Sequence, residues 1–249
     1  MSQHIAICVI TCRRPEGLKK LLLSLNELKF PEENPVKHSI IVVDNDPEKS
    51  ASWVEDDSTL PALHYYHEKE AGIPFARNRT ITEALKINAD FIAFLDDDEY
   101  VHREWLTTML EVQQQTSAPV IWGPVHPIFA IDPLPAWVSK GKFYDRQRYE
   151  NLATLGTAAS NNVLIDASLF KDTSLRFNEN MRHTGGTDHL FFKQLSTKGY
   201  EIRWAAEATV WEDVPASRVT KEWLCKRFLR LGNTHTITEI ALSPTIQTR

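Results

Sequence analysis

Four acids in a row, Asp96-Asp97-Asp98-Glu99, follow directly on an apolar run at 91–95. Acids are poor strand formers and like charges this close repel, so something positive must offset them. A hard divalent cation is the natural partner, because Mg2+ and Mn2+ take a few carboxylate oxygens plus substrate phosphates. The competing reading is an acidic helix start ahead of Trp105, where acids favour the helix dipole. The position after a hydrophobic strand weighs toward chemistry. A second acidic tip, Asp44-Asn45-Asp46 before Pro47, closes another apolar run. Alone it is a turn, since Asx residues before proline initiate turns well. A carboxylate there can also accept bonds from the ribose hydroxyls or base edge of a nucleotide. Arg77 and Arg79 form a third cue, because they stand at the start of a helical segment that already carries positive partial charge. An arriving diphosphate would justify them, and a solvated surface face is the bland alternative. The fourth is Gly185-Gly186-Thr187-Asp188, where two glycines let the backbone approach a ligand closely and a carboxylate follows. Thr187 or Asp188 can instead simply cap a helix. Glu212 and Asp213 are the next acids in line for a proton-transfer role.

These side chains need a frame. Residues 4–10, 39–43 and 91–95 read as near-continuous apolar runs, as parallel strands buried on both faces require. Between them, Leu18, Leu21, Leu22, Leu25 and Leu28 fall on one face of a helix over 15–29, with Pro15 at its start. Further helices are expected over 75–87 and 102–115, with a short strand at 63–66. This alternation predicts a doubly wound, mostly parallel α/β sheet with helices on both faces, whose ligands collect beyond the carboxyl ends of the strands. The second half is less regular. A strand broken by prolines is expected at 119–128, a long loop at 129–151, a strand at 161–165 and a helix over 187–198. One or two strands follow at 201–211, then a helix over 220–231 with Gly232 as its C-terminal cap. The loop at 129–151 is long enough to be a lid that orders over a bound ligand. No repeat or linker divides the chain, so one domain is expected over 1–249: a nucleotide-binding half at 1–115, an acceptor and catalytic half at 116–232, and a tail at 233–249.

Composition narrows the class. The formal net charge of -5 argues against a nucleic-acid partner, which needs a basic face. Cys8, Cys12 and Cys225 show no metal-ligand spacing and cannot all pair, which fits a reducing compartment. No apolar stretch approaches the roughly 20 residues of a membrane-spanning helix, so the cytoplasm is expected. The helix at 220–231 sets Trp223, Leu224, Phe228 and Leu231 on one side and Lys221, Lys226, Arg227 and Arg230 largely on the other. Such a helix suits peripheral contact with the inner, anionic face of a membrane, although packing against the domain explains it as well.

Taken in order, ICVITCRRPEGLKKLLLSL, IIVVDND, AGIPFARNRTITEAL and FIAFLDDDE resemble the inverting family 2 glycosyltransferases. The resemblance is strongest over 4–115, looser over 155–232, and nearest to bacterial exopolysaccharide and lipopolysaccharide enzymes of the succinoglycan-glucosyltransferase type. It implies the GT-A fold and transfer of a sugar from a nucleoside diphosphate, UDP favoured, to a glycan or lipid-linked acceptor. By position it implies that Thr11 and Asp44 frame the base, that Arg77 and the acids Asp96 and Asp97 lie at the donor, and that Asp98 with Asp96 holds Mn2+ or Mg2+. It also implies that Asp188 is the catalytic base. Many relatives carry two acids at 187–188; here the first is Thr187.

Three rival readings remain. An aspartyl-phosphate phosphatase also places Asp-x-Asp after a strand, but near the N-terminus and without Tyr100 two places on. A sugar nucleotidyltransferase needs a glycine-rich loop after the first strand, where this chain has Thr11-Cys12-Arg13-Arg14-Pro15. A binding module without catalysis would bind the donor and leave it intact.

Overall fold

The computed structural model describes residues 3–33, 35–57, 60, 62–171 and 175–243. Its strands in chain order are β1 (His4–Thr11), β2 (Lys37–Asp44), β3 (Leu63–His67), β4 (Phe91–Asp96), β5 (Glu99–Val101) and β6 (Val120–Trp122). They continue as β7 (Val125–Phe129), β8 (Thr154–Leu155), β9 (Val163–Asp166), β10 (Ile202–Trp204) and β11 (Val210–Val214). The α-helices are α1 (Pro15–Asn26), α2 (Ile73–Lys86), α3 (Trp105–Thr116), α4 (Ala136–Gly141), α5 (Thr187–Thr197) and α6 (Lys221–Leu242). An eight-stranded sheet runs β3-β2-β1-β4-β9-β6-β10-β8, and a three-stranded one runs β5-β11-β7. The first four strands of the large sheet are parallel, as their unbroken apolar runs require, and β9 enters antiparallel to β4 and β6.

Alternation along β1 separates two cores. Ile5, Ile7 and Val9 join the leucines of α1 and Trp105, Leu106 and Met109 of α3. Ala6 and Cys8 face the other way, toward Ala76 and Ala84 of α2 and the Phe191–Phe192 pair of α5. Helices therefore cover both faces, and the carboxyl ends of β1 and β4 are left to carry the site.

The less regular half differs from expectation in three places. The strand at 119–128 breaks at Gly123-Pro124 into β6 and β7, which belong to different sheets. A Cβ on Gly123 would lie 2.6 Å from Asn162 Nδ2 and 2.8 Å from the Ala208 carbonyl, so only glycine fits that crossing. The segment at 129–151 is an anchored structure: it contains α4, and Val138 and Tyr144 pack with Val214, Val219 and Leu224 in a satellite core. Its anchors are isolated aromatics and prolines with no common period, which is why the sequence reads as loop. Finally, Gly232 does not cap α6. The helix runs on through residues 233–242, because Thr234 and Thr238 are buried against the start of α5. That stretch is helix where a tail was expected; residues 244–249 lie outside the described set.

Candidate active site

The acids at 96–98 sit where β4 ends, and each meets a cation. Thr11, the last residue of β1, is buried and donates its hydroxyl to Asp97 Oδ2 at 2.8 Å. Arg14, just ahead of α1, reaches both Asp97 Oδ1 and Asp98 Oδ2 at 2.9 Å. The first turn of α1 lies so near this loop that a Cβ on Gly17 would stand 2.5 Å from the Asp97 carbonyl oxygen. Arg77, on the second turn of α2, holds Asp96 Oδ1 at 3.3 Å and lies over the Phe177 ring. Arg79 turns aside to Glu83 at 2.7 Å, so of the two arginines only Arg77 reaches the acids.

Electrostatics follow from this crowding. Burial pushes the Asp96 carboxyl up to about 6, with Arg77 opposing and the neighbouring carboxylates of Asp98, Asp97 and Glu212 adding to the rise. Burial also raises Asp97, with Arg14 and the Thr11 hydroxyl pulling it back. Glu99 opens β5 rather than a helix; its carboxylate accepts from the Asp96 N–H at 2.8 Å and from Asn161 Nδ2 at 3.1 Å. Burial and Asp96 raise it well above the usual carboxylate range.

Across a cleft of about 660 Å³ stands α6. Trp223, Lys226, Arg227, Arg230 and Leu231 line it at i, i+3, i+4, i+7 and i+8, one face of the helix. Lys226, Arg227 and Arg230 thus share the cleft with Trp223 and Leu231, although the sequence pattern divides these residues between an apolar and a cationic side. Arg218 joins them, bridging Asp98 Oδ2 at 3.2 Å and Glu212 Oε1 at 3.3 Å. Glu212 also pairs with Arg146. Burial and the neighbouring cations Arg146, Arg230 and Arg218 pull the Arg227 guanidinium down, with Glu212 opposing. A desolvated cation crowded by like charges is a site that favours an anion.

The remaining expected residues sit outside this ring. The Asp44 carboxylate is fully buried and turned into its own loop, accepting from the N–H groups of Asp46 at 2.9 Å and Ala51 at 2.7 Å and from the Tyr65 hydroxyl at 3.2 Å. Its neighbour Asn45 lines the cleft instead. Asp188 is in the first turn of α5, half-buried, with Oδ1 accepting the His189 N–H at 2.8 Å, and it is not among the cleft-lining residues. The turn before it borders the cleft, since Gly185 lies against Arg230. Neither Thr187 nor Asp188 caps α5: the cap position is Gly186, at φ 78°, with no side-chain bond. A Cβ there would meet Thr234 at 2.3 Å, so the glycine serves the α5–α6 contact. Arg146, Arg218 and Glu212 are the site residues that sequence reasoning missed or ranked second. Glu212 had a cue, its place on a strand beside Asp213; the two arginines had none, lying in aperiodic segments.

Among the described residues, no three His, Cys, Asp or Glu side chains form a ready cation cage. The donor set nonetheless fits Mg2+ or Mn2+. Asp96 and Asp98 offer hard oxygens at the cleft wall, and these ions need only one or two carboxylates beside substrate phosphates. Arginines now occupy both carboxylates, so a bound ion would displace at least one of them.

Comparison with known proteins agrees with this geometry. TarS 1–349 of S. aureus, solved in complex with UDP-GlcNAc, superposes with a TM-score of 0.65 at 18% identity, over 86% of this chain and 59% of that one. The mannosyltransferase PcManGT from Pyrobaculum calidifontis, solved with GDP-Man and Mn2+, gives 0.66 at 16% identity, over 94% of this chain and 63% of that one. The chain therefore spans about three-fifths of these two structures, and the likeness establishes the GT-A fold. The succinoglycan biosynthesis protein ExoM of Rhizobium meliloti (strain 1021) is 34% identical over 235 residues, 93% of this chain and 74% of that protein. With the model of glycosyl transferase family 2 matching residues 6–173, the chain belongs to that family and is a glycosyltransferase.

Proposed function

We propose that the protein transfers a sugar from a nucleoside diphosphate, UDP by preference, to an acceptor hydroxyl, with divalent-metal assistance and inversion at the anomeric carbon. The observation that carries this reading is the facing of Asp96 to Asp98 by Arg218, Arg227 and Arg230 across one cleft. Thr11 and Asn45 border the nucleoside end, and Asp44 shapes the loop that presents Asn45. Arg77 and the α6 cations take the diphosphate, as charge-assisted donors. Asp98 and Asp96 would hold Mn2+ or Mg2+, with Asp97 fixed between Thr11 and Arg14 as their support. When bound, the ion neutralises the charge that develops on the leaving diphosphate. Asp188 takes the proton of the attacking hydroxyl, which approaches from the face away from the nucleotide and so inverts the centre. Residues 1–115 supply the nucleoside and metal side of the donor site, and 116–232 add the α6 cations and the acceptor side, within one unit.

The ligands named for TarS and PcManGT support a nucleotide-sugar donor, and ExoM supports a place in surface-polysaccharide or glycolipid assembly. The decisive test is calorimetric titration of UDP, GDP and dTDP with Mn2+ and with chelator. UDP should bind most tightly and only weakly in chelator. Equal binding in chelator refutes the metal, and a preference for GDP or dTDP refutes the uridine.

No helix among the described residues is long and apolar enough to cross a membrane. We place the enzyme in the cytoplasm, resting on the inner membrane face where lipid-linked acceptors lie. With its cations turned inward, the lipid-facing side of residues 220–231 becomes Phe228 and Leu229, both exposed, with Phe143 beside Phe228. Flotation with anionic liposomes should recover the protein, and Leu229→Ser should reduce the yield. Recovery of none overturns this placement.

A further inference from the structure

A second hollow, of about 260 Å³, lies beside the donor cleft between the free edge of β7 and residues 145–148. Its two walls differ in kind. Pro124, Val125 and Pro127 supply an apolar wall, and the opposite wall presents Asp145, Gln147 and Arg148. Arg148 Nη2 stands 3.1 Å from His126 Nδ1. A guanidinium only donates, so His126 Nδ1 accepts and its proton sits on Nε2. Burial and Arg148 lower the affinity of His126 for a second proton, keeping the ring neutral. The Asp145 and Gln147 side chains engage no other described residue. The hollow therefore offers a carboxylate acceptor, an amide that both donates and accepts, and guanidinium and imidazole donors, set against proline rings.

That complement matches one ligand class. A pyranose has an apolar C–H face and a rim of hydroxyls that donate and accept at once, so prolines and fork-shaped polar groups can serve both sides. A phosphate or carboxylate fits less well: Arg146 is committed to Glu212, His126 carries no charge, and Asp145 opposes the one cation that remains, Arg148. The partition between the hollow and the donor cleft is the Arg146–Glu212 pair: Arg146 lines the hollow and Glu212 lines the cleft. A sugar held here is one ion pair removed from the reacting centre. On the glycosyl-transfer reading above, we propose that this hollow is an acceptor subsite, which binds a neutral pyranose of an oligosaccharide acceptor away from the residue that is glycosylated.

The test is saturation-transfer NMR on the whole protein with UDP and the diamagnetic Mg2+ filling the donor cleft. The probes are the methyl glycosides of glucose, galactose and mannose, and methyl β-cellobioside. At least one should receive saturation through its C–H protons. Gln147→Ala and Arg148→Ala, both at exposed positions, should each weaken it on the order of tenfold, the loss of one net hydrogen bond, and leave UDP affinity unchanged. Saturation of none, saturation indifferent to both substitutions, or displacement by inorganic phosphate each overturns the proposal. UDP titration of the same samples separates the two claims. With UDP bound and no glycoside saturated, the subsite falls and the glycosyltransferase reading stands.

Discussion

Arg227 gives the proposed donor site a test in which affinity and stability move apart. Its guanidinium lies 5.3 Å from the Trp223 ring and is crowded by Arg146, Arg218 and Arg230, with Glu212 as its counterweight. Arg227→Met keeps the aliphatic stem and removes the charge. The folded protein then loses a cation–π contact worth about 0.5–1 kcal/mol, and it escapes the opposing desolvation and like-charge crowding of the guanidinium. The melting temperature should stay level or rise. Nucleotide binding should behave otherwise. A charge-assisted hydrogen bond to phosphate contributes about 1.5–3 kcal/mol, so the Kd for UDP should rise roughly 10- to 150-fold, toward the lower end because the cleft is open to water. The affinity of the parent should also fall more steeply with added salt than that of the variant. Calorimetry and a thermal melt on the same preparations suffice. Unchanged UDP affinity, or a stability loss that accounts for the affinity loss, would refute an α6 diphosphate clamp.

Asp188→Asn should lower transfer on the order of 10²- to 10⁴-fold with UDP affinity and melting temperature preserved; near-parental turnover moves the base to Glu212 or Asp213. Asn162→Ala should cost roughly 3–5 kcal/mol in urea unfolding, because it strands Trp105 Nε1 and the carbonyls of Pro124 and Ala208, all now bonded at 2.7–2.8 Å. A loss below about 1 kcal/mol would show that the region relaxes around the gap. The acid cluster also sets a pH dependence. Because burial raises the folded pKa of Asp96 and Glu99, the folded state holds protons that the unfolded state has lost. Their contribution is full below the ordinary carboxylate range and disappears as pH rises through about 6 for Asp96. The nucleotide-free, metal-free protein should therefore lose melting temperature across that window, and Glu99→Gln should flatten the slope. A parallel slope in the variant refutes it.

The first half was legible because burial on both faces leaves a continuous apolar strand, and one-sided burial leaves leucines at helical spacing, as in β1 and α1. The tip at 96–98 could be read for a related reason: acids in a row at the end of such a run need positive partners, which Arg14, Arg77 and Arg218 supply, whereas Asp44 serves its own loop. Legibility fails where elements are too short to show a period, as in β8, β10 and α4. It also fails where a residue's role is decided from outside its own segment. Gly232 looks like a helix end, but α6 continues past it, with Thr234 packed on the surface that Gly186 leaves and Thr238 buried. Asp44 and Asn45 are adjacent, and only the fold decides which of them turns to the cleft.

The cleft is made of charges that satisfy one another. Arg14 and Arg218 share Asp98, Arg218 and Arg146 share Glu212, and Arg77 holds Asp96. A diphosphate and a cation entering together can exchange these partners without leaving a charge bare, arginines passing to phosphate and carboxylates to the ion. Burial ranks the order of release. The Arg14 side chain is 45% exposed, so water can take its place at Asp98, while the Thr11 hydroxyl stays on the buried Asp97. The Arg77 side chain is only 9% exposed, and parting it from Asp96 would leave a guanidinium poorly solvated. Arg14 is thus placed to let go first, and Arg77 to hold Asp96 and phosphate at once. Replacing Arg14 should then cost little affinity, and replacing Arg77 should cost both affinity and fold.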